Sequence, residues 1–257
     1  MKKIVFLLSL IILLSSIFIF PIFSADGSQL NWYCVRTPNH TQPPLPQEFN
    51  FIENYNGYYI DKHTNDKVVY LTFDVGYENG NVVRILDTLK ATEVKAAFFV
   101  LSNLISQNPE LIVRMSDEGH LICNHTSKHV DMTKINDINA FNNELKALEE
   151  FCAEKTGKTI LKYFRPPEGK FNEITLKFAD ELGYKTIFWS FAYADWDNSN
   201  QMDEAKAKEK ILSNIHNGAV LLLHPTSKTN ADILGDIIVE LKSQGYRFGT
   251  LDELTAK

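Results

Sequence analysis

The stretch VVYLTFDVGYENG, residues 68–80, decides the fold of this chain. Its first six residues are all apolar, aromatic or β-branched, the composition of a strand buried on both faces. The strand runs into Asp74, and the chain then turns at Gly76. In an open, doubly wound sheet such a first strand would lead into a glycine-rich phosphate loop, GxGxxG. FDVGYENG does not have that spacing. A barrel makes a different demand, that reactive side chains gather at the C-terminal ends of several strands.

Outward from this stretch the same rhythm continues. Further apolar runs occur at 95–100, 120–123, 161–165, 185–191, 219–223 and 246–249, each read as a strand. Amphipathic stretches near 80–91, 108–118, 137–156, 172–183, 204–217 and 230–244 read as helices. Gly119, Gly157, Gly183, Gly218 and Gly245 each precede a strand, the position of a helix C-cap. Strands alternating with helices predict a parallel α/β fold. Asp74, His125, Arg165, Asp195 and His224 each lie at or just beyond the end of an apolar run. A barrel-like closure follows.

Composition is that of a globular protein: 257 residues, 44% hydrophobic and 23% charged. Net charge is −6 and no basic run extends beyond Lys2-Lys3, so nucleic acid is not an expected partner. Lys2-Lys3 precede an apolar run from Ile4 to Phe23 and a small residue at Ala25. That pattern fits a secretory signal, and at ~20 residues it also fits a membrane anchor. Either way the rest of the chain is expected outside the cytoplasm, secreted or anchored and facing the cell wall. Three segments follow: residues 1–25 as signal peptide or anchor, 26–66 as an irregular, proline-rich strap packed on the barrel, and 67–257 as one domain. Cys123 and Cys152 read as small buried hydrophobes, and three cysteines are too few for a disulfide framework. The role of Cys34 stays open.

Each reactive residue has a bland reading beside the sharp one. His125 and His129, in NHTSKH, are four apart, and on a helical turn both imidazoles would aim at one divalent ion. A structural histidine pair is the alternative. Asp74 could be a helix N-cap or turn residue. Arg165, in YFRPPEG, could grip a buried carboxylate through its rigid fork or sit in a surface ion pair. His224, ending AVLLLHP, could be a satisfied core residue or a general acid, since its ordinary pKa of ~6.5 suits proton transfer. Asp195, in FAYADW, could orient it.

With these segments in order, the chain resembles the polysaccharide deacetylase family, the NodB-homology domain, over roughly residues 67–252. TFDVG at 72–76 stands for the family's TFDDG. NHTSKH, RPPEG at 165–169, ADW at 194–196 and LLLH at 221–224 are similar to its other motifs. WYCVRTPNHTQPP at 32–44 and YLTFD-GYENG at 70–80 look like the subgroup of delta-lactam-forming de-N-acetylases, the PdaA type. The resemblance implies a distorted (β/α)7 barrel. It also implies de-N-acetylation of muramic acid in peptidoglycan stripped of its stem peptide, giving the muramic delta-lactam of spore cortex. It makes Asp74 the base, His125 and His129 the metal ligands, Arg165 the residue that orients Asp74, and His224 the acid with Asp195 as partner. The backbone N–H of Glu168 would stabilise the oxyanion, and Trp189, Trp196 and Leu222 would shape the acetyl pocket.

Val75 departs from the pattern, because the family uses an aspartate there as third metal ligand and valine has no lone pair. Water could fill the position, Glu78 or Asp131 could supply an oxygen, or the chemistry could proceed without metal or not at all. The expectation is a divalent cation, zinc, weakly bound. Alternatives to the muramic acid reading are an N-acetylglucosamine deacetylase of peptidoglycan or chitin-like chains and a non-catalytic wall binder. The full acid–base set argues against the binder. Asp74→Asn is expected to stop turnover and leave melting largely unchanged.

Overall fold

The computed structural model describes residues 26–256. In chain order the strands are β1 (Leu30–Asn31), β2 (Gly57–Tyr58), β3 (Val68–Val75), β4 (Ala97–Val100), β5 (Leu121–Asn124), β6 (Leu161–Phe164), β7 (Lys170–Phe171), β8 (Lys185–Ile187), β9 (Ala219–Leu223) and β10 (Arg247–Gly249). The helices are α1 (Asn81–Ala91), α2 (Ser102–Gln107), α3 (Pro109–Asp117), α4 (Ile138–Thr156), α5 (Glu173–Glu181), α6 (Glu204–Asn214), α7 (Lys228–Ser243) and α8 (Leu251–Leu254). The expected strands and long helices are present; α2, α8 and the two-residue strands carry too short a pattern to be read. The proposed signal or anchor lies outside the described residues, and among these no helix is long and apolar enough to cross a membrane.

The local rules that build the helices are visible in α4. Phe141, Leu145, Leu148 and Cys152 recur at three- and four-residue spacing and are buried. Asp137 caps its start by accepting the Ala140 N–H at 2.8 Å. Gly157 closes its end in the left-handed region, φ 67°, a conformation that costs other residues more.

The sheet is parallel and curls on itself. One edge of β3 pairs with β9, from Val69↔Ala219 to Phe73↔Leu223. Its other edge is shared, with β10 on Val68–Tyr70 and β4 on Thr72–Val75. From β4 the sheet runs through β5, β6 and β8 to β2. Beyond β8 the chain crosses to β9: Ser190 and Phe191 donate to the Val220 carbonyl at 3.0 and 3.2 Å, and Leu222 donates back to Phe191 at 2.9 Å. The expected strand 185–191 therefore stops at Ile187, because its last residues change partner to close the barrel. The closure is narrow, and the barrel is distorted as expected.

Strand alternation sorts the core into two layers. Val69, Leu71, Phe73 and Val75 of β3 pack outward against α1 and α7, among Ile85, Leu89, Ile237 and Leu241. Val68 and Tyr70 face the lumen with Phe99, Cys123 and Val220, where Leu251 and Leu254 of α8 plug the bottom. The top is left to polar side chains. The strap is welded to the side rather than irregular throughout. It adds β2 to the sheet, pairs β1 with β7, and buries Trp32, Phe49 and Ile52 against Phe171, Leu176 and Phe188. Trp32 stacks on Phe188 at 4.3 Å and on Phe49 at 5.1 Å. Each such aromatic removes ~150–250 Å² from water, so the strap is a sizeable part of the core on that side.

Candidate active site

Asp74 occupies the last turn of pleat in β3, on the lumen side, opposite in direction to Val75. Its Oδ1 accepts from Nη1 of Arg165 at 2.7 Å. Arg165 follows β6 directly and is fully buried. The rest of its fork is also engaged, by Ile187 carbonyl at 3.0 Å, Thr72 hydroxyl at 2.9 Å and Phe188 carbonyl at 3.4 Å. The guanidinium also lies 4.1 Å over the Phe99 ring. This is the buried-carboxylate reading of Arg165, not the surface ion pair. Burial alone would raise the carboxyl pKa of Asp74, but the charge and hydrogen bond of Arg165, with the charge of His224, outweigh it and hold the group below its ordinary value. Asp74 is an ionised acceptor at neutral pH.

Across the cleft, His224 follows β9 directly. Its Nδ1 donates to Oδ1 of Asp195 at 2.7 Å, and its backbone N–H donates to Oδ2 at 2.8 Å. Asn230, on the first turn of α7, adds a third donor to Oδ2 at 2.6 Å and also holds the His224 carbonyl at 3.1 Å. Tyr193 donates to the amide oxygen of Asn230. Burial works against a charged imidazole, yet the hydrogen bond and charge of Asp195 and the charge of Asp74 raise the His224 pKa above its ordinary value. With Nδ1 committed to Asp195, Nε2 is the nitrogen left to the cleft.

His125 follows β5, and its Nδ1 donates to the Arg165 carbonyl at 2.9 Å. That bond fixes the tautomer with a lone pair on Nε2, which stands 3.5 Å from Oδ2 of Asp74. Burial pushes the His125 pKa down to about 4, so the ring is neutral at neutral pH. His129 is exposed, with its ring 5.0 Å from that of His125. The pair is not on a helical turn, as its spacing suggested. It lies on a loop where Thr126 and His129 adopt φ 69° and 56°, and this bend brings the rings together.

Neither suggested replacement for the third ligand reaches the site. Glu78 accepts the N–H groups of Gly80 and Val82 at 2.7 and 2.9 Å and so caps α1. Asp131 accepts from the N–H and hydroxyl of Thr133 at 3.1 and 2.6 Å. Val75 is buried in the outer apolar layer. Among the described residues no group of three or more His, Cys, Asp or Glu side chains is arranged to hold an ion. The donor set fits an ion held by two imidazoles, one of them oriented by a backbone carbonyl, with its other positions left to water or substrate.

A cleft of about 940 Å³ joins these groups. Asp74, His125, His129, Glu168, Trp189, Trp196, Leu222 and His224 all line it. Arg165 and Asp195 stand behind its wall, each holding a lining residue in place. Glu168 sits in a turn with φ 57°, a strained conformation of the sort found at working sites. Three contributors were not singled out as site residues from the sequence: Asn230, Tyr193, and Trp32 of the strap, which lines the cleft and donates its indole N–H to the Trp189 carbonyl at 2.9 Å. Cys34 lies beside that carbonyl, where burial pushes its thiol up to about 12 and leaves it inert.

The polysaccharide deacetylase family profile matches residues 61–187. The peptidoglycan-N-acetylmuramic acid deacetylase PdaA of Bacillus subtilis is 42% identical over 90% of this chain and 88% of its own length. Its structure, described as a family 4 carbohydrate esterase, superposes with a TM-score of 0.84 at 41% identity, covering 89% of this chain and 97% of that one. A peptidoglycan-N-acetylglucosamine deacetylase, PgdA of Listeria monocytogenes, is 37% identical over 76% of this chain but only 40% of its own length. A pseudoenzyme of carbohydrate esterase family 4 from Bacillus anthracis superposes with a TM-score of 0.69 at 29% identity, covering 77% of this chain and 68% of that one.

Proposed function

The chain belongs to the polysaccharide deacetylase family and is a hydrolase of carbon–nitrogen bonds other than peptide bonds; from that premise we propose that it acts on peptidoglycan and removes the N-acetyl group of muramic acid. In this reading the glycan has lost its stem peptide, and the freed amine closes on the lactyl carboxyl to give the muramic delta-lactam of spore cortex. Support comes from the extent of the similarity to the N-acetylmuramic acid deacetylase. The observation that carries the chemistry is one cleft holding two titratable groups with their pKa values pushed apart, Asp74 downward and His224 upward.

Asp74 takes a proton from the attacking water as its oxygen bonds to the acetyl carbon. Negative charge gathers on the former carbonyl oxygen, where the Glu168 N–H is the proposed donor, a contribution of ~2.7–4 kcal/mol for such groups. His125 and His129 would hold a divalent cation, zinc in this reading, which would supply Lewis-acid stabilisation of that charge. Nε2 of His224 then gives its proton to the departing amine as the C–N bond breaks, and the proton on Asp74 restores His224. Arg165 and Asp195 keep the two groups in place and charged. An ion on two protein nitrogens would be held weakly, so chelator washing should strip it; tight stoichiometric zinc after such washing would contradict this.

The site of action in this reading is outside the cytoplasm, on the cell wall, with Lys2-Lys3 and the run from Ile4 to Phe23 as signal or membrane anchor. The test is mass spectrometry of peptide-bearing and peptide-stripped peptidoglycan after incubation with the enzyme, with and without zinc. Released acetate is measured alongside. Acetyl loss from muramic acid in stripped chains supports the proposal. Loss from glucosamine alone would move it to the second sugar, and no loss from any glycan would overturn it.

A further inference from the structure

The pair of His224 and Asp195 rests on a layer of buried polar side chains that no step of the proposed chemistry uses. Asp195 is buried, and among the described residues no Lys or Arg side chain pairs with its carboxylate. Its cationic partner is the His224 ring, which loses its charge each time it gives a proton to the departing amine. A buried carboxylate without a counter-charge is costly unless other donors hold it. Asn230 supplies such a donor: its Nδ2 donates to Oδ2 of Asp195 at 2.6 Å and to the His224 carbonyl at 3.1 Å. Both partners are acceptors, so only the NH2 end of the amide fits against them. The Oδ1 end accepts from the Tyr193 hydroxyl, which burial and the charge of Asp195 keep protonated by pushing its pKa up.

Asn230 stands in the first turn of α7, where an asparagine could serve as a plain helix cap. That task is already done by Ser227, whose hydroxyl accepts the Asn230 N–H at 3.1 Å. Ser227 donates in turn to Gln201, and Gln201 donates to the Asp195 carbonyl at 3.1 Å. This circuit of contacts fixes the backbone of both residues and leaves the Asn230 amide to the acid.

We propose that Asn230 and Tyr193 are positioning residues for the proton transfer: one amide pins the Asp195 carboxylate and the His224 backbone together, and one hydroxyl fixes that amide the right way round. The assignment rests on the reading of His224 as the acid. With the carboxylate held from outside the pair, Asp195 keeps its place while His224 is charged and while it is neutral. Nε2 of His224 then points into the cleft in the same direction throughout the cycle. A reacting group displaced by about 1 Å can lose roughly 10²-fold in rate, so a fixed direction matters to the transfer.

The test compares the full-length enzyme with Asn230→Ala and Tyr193→Phe, on peptide-stripped peptidoglycan and on an activated acetate ester. On the glycan, kcat should fall roughly tenfold in Asn230→Ala and about threefold in Tyr193→Phe, with KM held. The ester, whose leaving group needs no proton, should lose much less. Equal losses on both substrates, a change confined to KM, or an unchanged kcat would overturn the assignment. Tyr193→Phe removes a single hydroxyl and carries the test should Asn230→Ala not fold. A second readout needs no substrate: the Nδ1 proton of His224, shifted downfield by its bond to Asp195 in the NMR spectrum and identified by its absence in His224→Gln. It should exchange with water about threefold faster or more in both variants, and an unchanged rate removes the two residues from this role. If the wild type releases no acetate from any glycan, the function reading fails by itself, and the exchange rate still decides whether Asn230 and Tyr193 hold the pair.

Discussion

On the acid side of the cleft, Asp195 receives three hydrogen bonds, from the ring and backbone of His224 and from Asn230, and Asn230 is itself held by Tyr193. On the metal side, His125 is oriented by one carbonyl, His129 is exposed on a loop, and Val75 faces away into the apolar layer. Asp74 sits between the two, anchored to a fully engaged Arg165. The contrast shows where the geometry is over-determined. The groups that move protons are each fixed by several buried contacts, whereas the groups that would hold an ion are fixed by few. Changes on the proton-moving side should therefore cost more, and in a more structured way.

Asp74→Asn tests the most engaged group. Turnover should fall by at least ~10²–10⁴ as the base is lost. The substitution also leaves the Arg165 guanidinium buried without its counter-charge, and breaking such a pair costs ~3–5 kcal/mol. A clear drop in Tm is now expected, contrary to the sequence-based expectation of unchanged melting, because the complete burial of the Arg165 guanidinium was not visible in the sequence. An unchanged Tm would show that Arg165 does not depend on Asp74.

His224→Gln should lower kcat by ~10²–10⁴ for the amide and by less for an activated acetate ester, whose leaving group needs no proton. Equal losses on both substrates would break the acid assignment.

Asp195→Asn keeps the shape but removes the charge that raises the His224 pKa. An acid must be protonated to act, so the alkaline limb of kcat/KM should move to lower pH. The sign for stability is the same. A histidine with a raised folded pKa contributes stability present below its unfolded ~6.5 and lost as pH rises through the folded value, and this contribution should disappear in the variant. A limb that stays in place would assign it to another group.

The smallest effect lies outside the cleft. Burial pushes His120 and His216 each down to about 4. Stability tied to them is present above their unfolded ~6.5 and drains as pH falls through the folded value near 4. The denaturation midpoint should therefore fall across that window, less steeply in His216→Asn, and an identical slope would remove His216 from the account.

The strands were legible in the sequence because burial on both faces writes itself as a continuous apolar run, and the long helices because one buried face repeats every three to four residues. Placement of Asp74, His125, Arg165 and His224 at strand ends followed from the same runs. What no local pattern carried was the partner of each. Arg165 finds Asp74 across 91 residues, Asn230 finds Asp195 across 35, and Trp32 finds Trp189 across 157. The histidine spacing suggested a helix where left-handed residues make a loop, and Val75 drew attention as a missing ligand where strand alternation makes it core. A sequence determines which way a side chain can alternate and how often a face repeats; only closure of the sheet decides which groups then meet, because that depends on contacts between segments far apart in the chain.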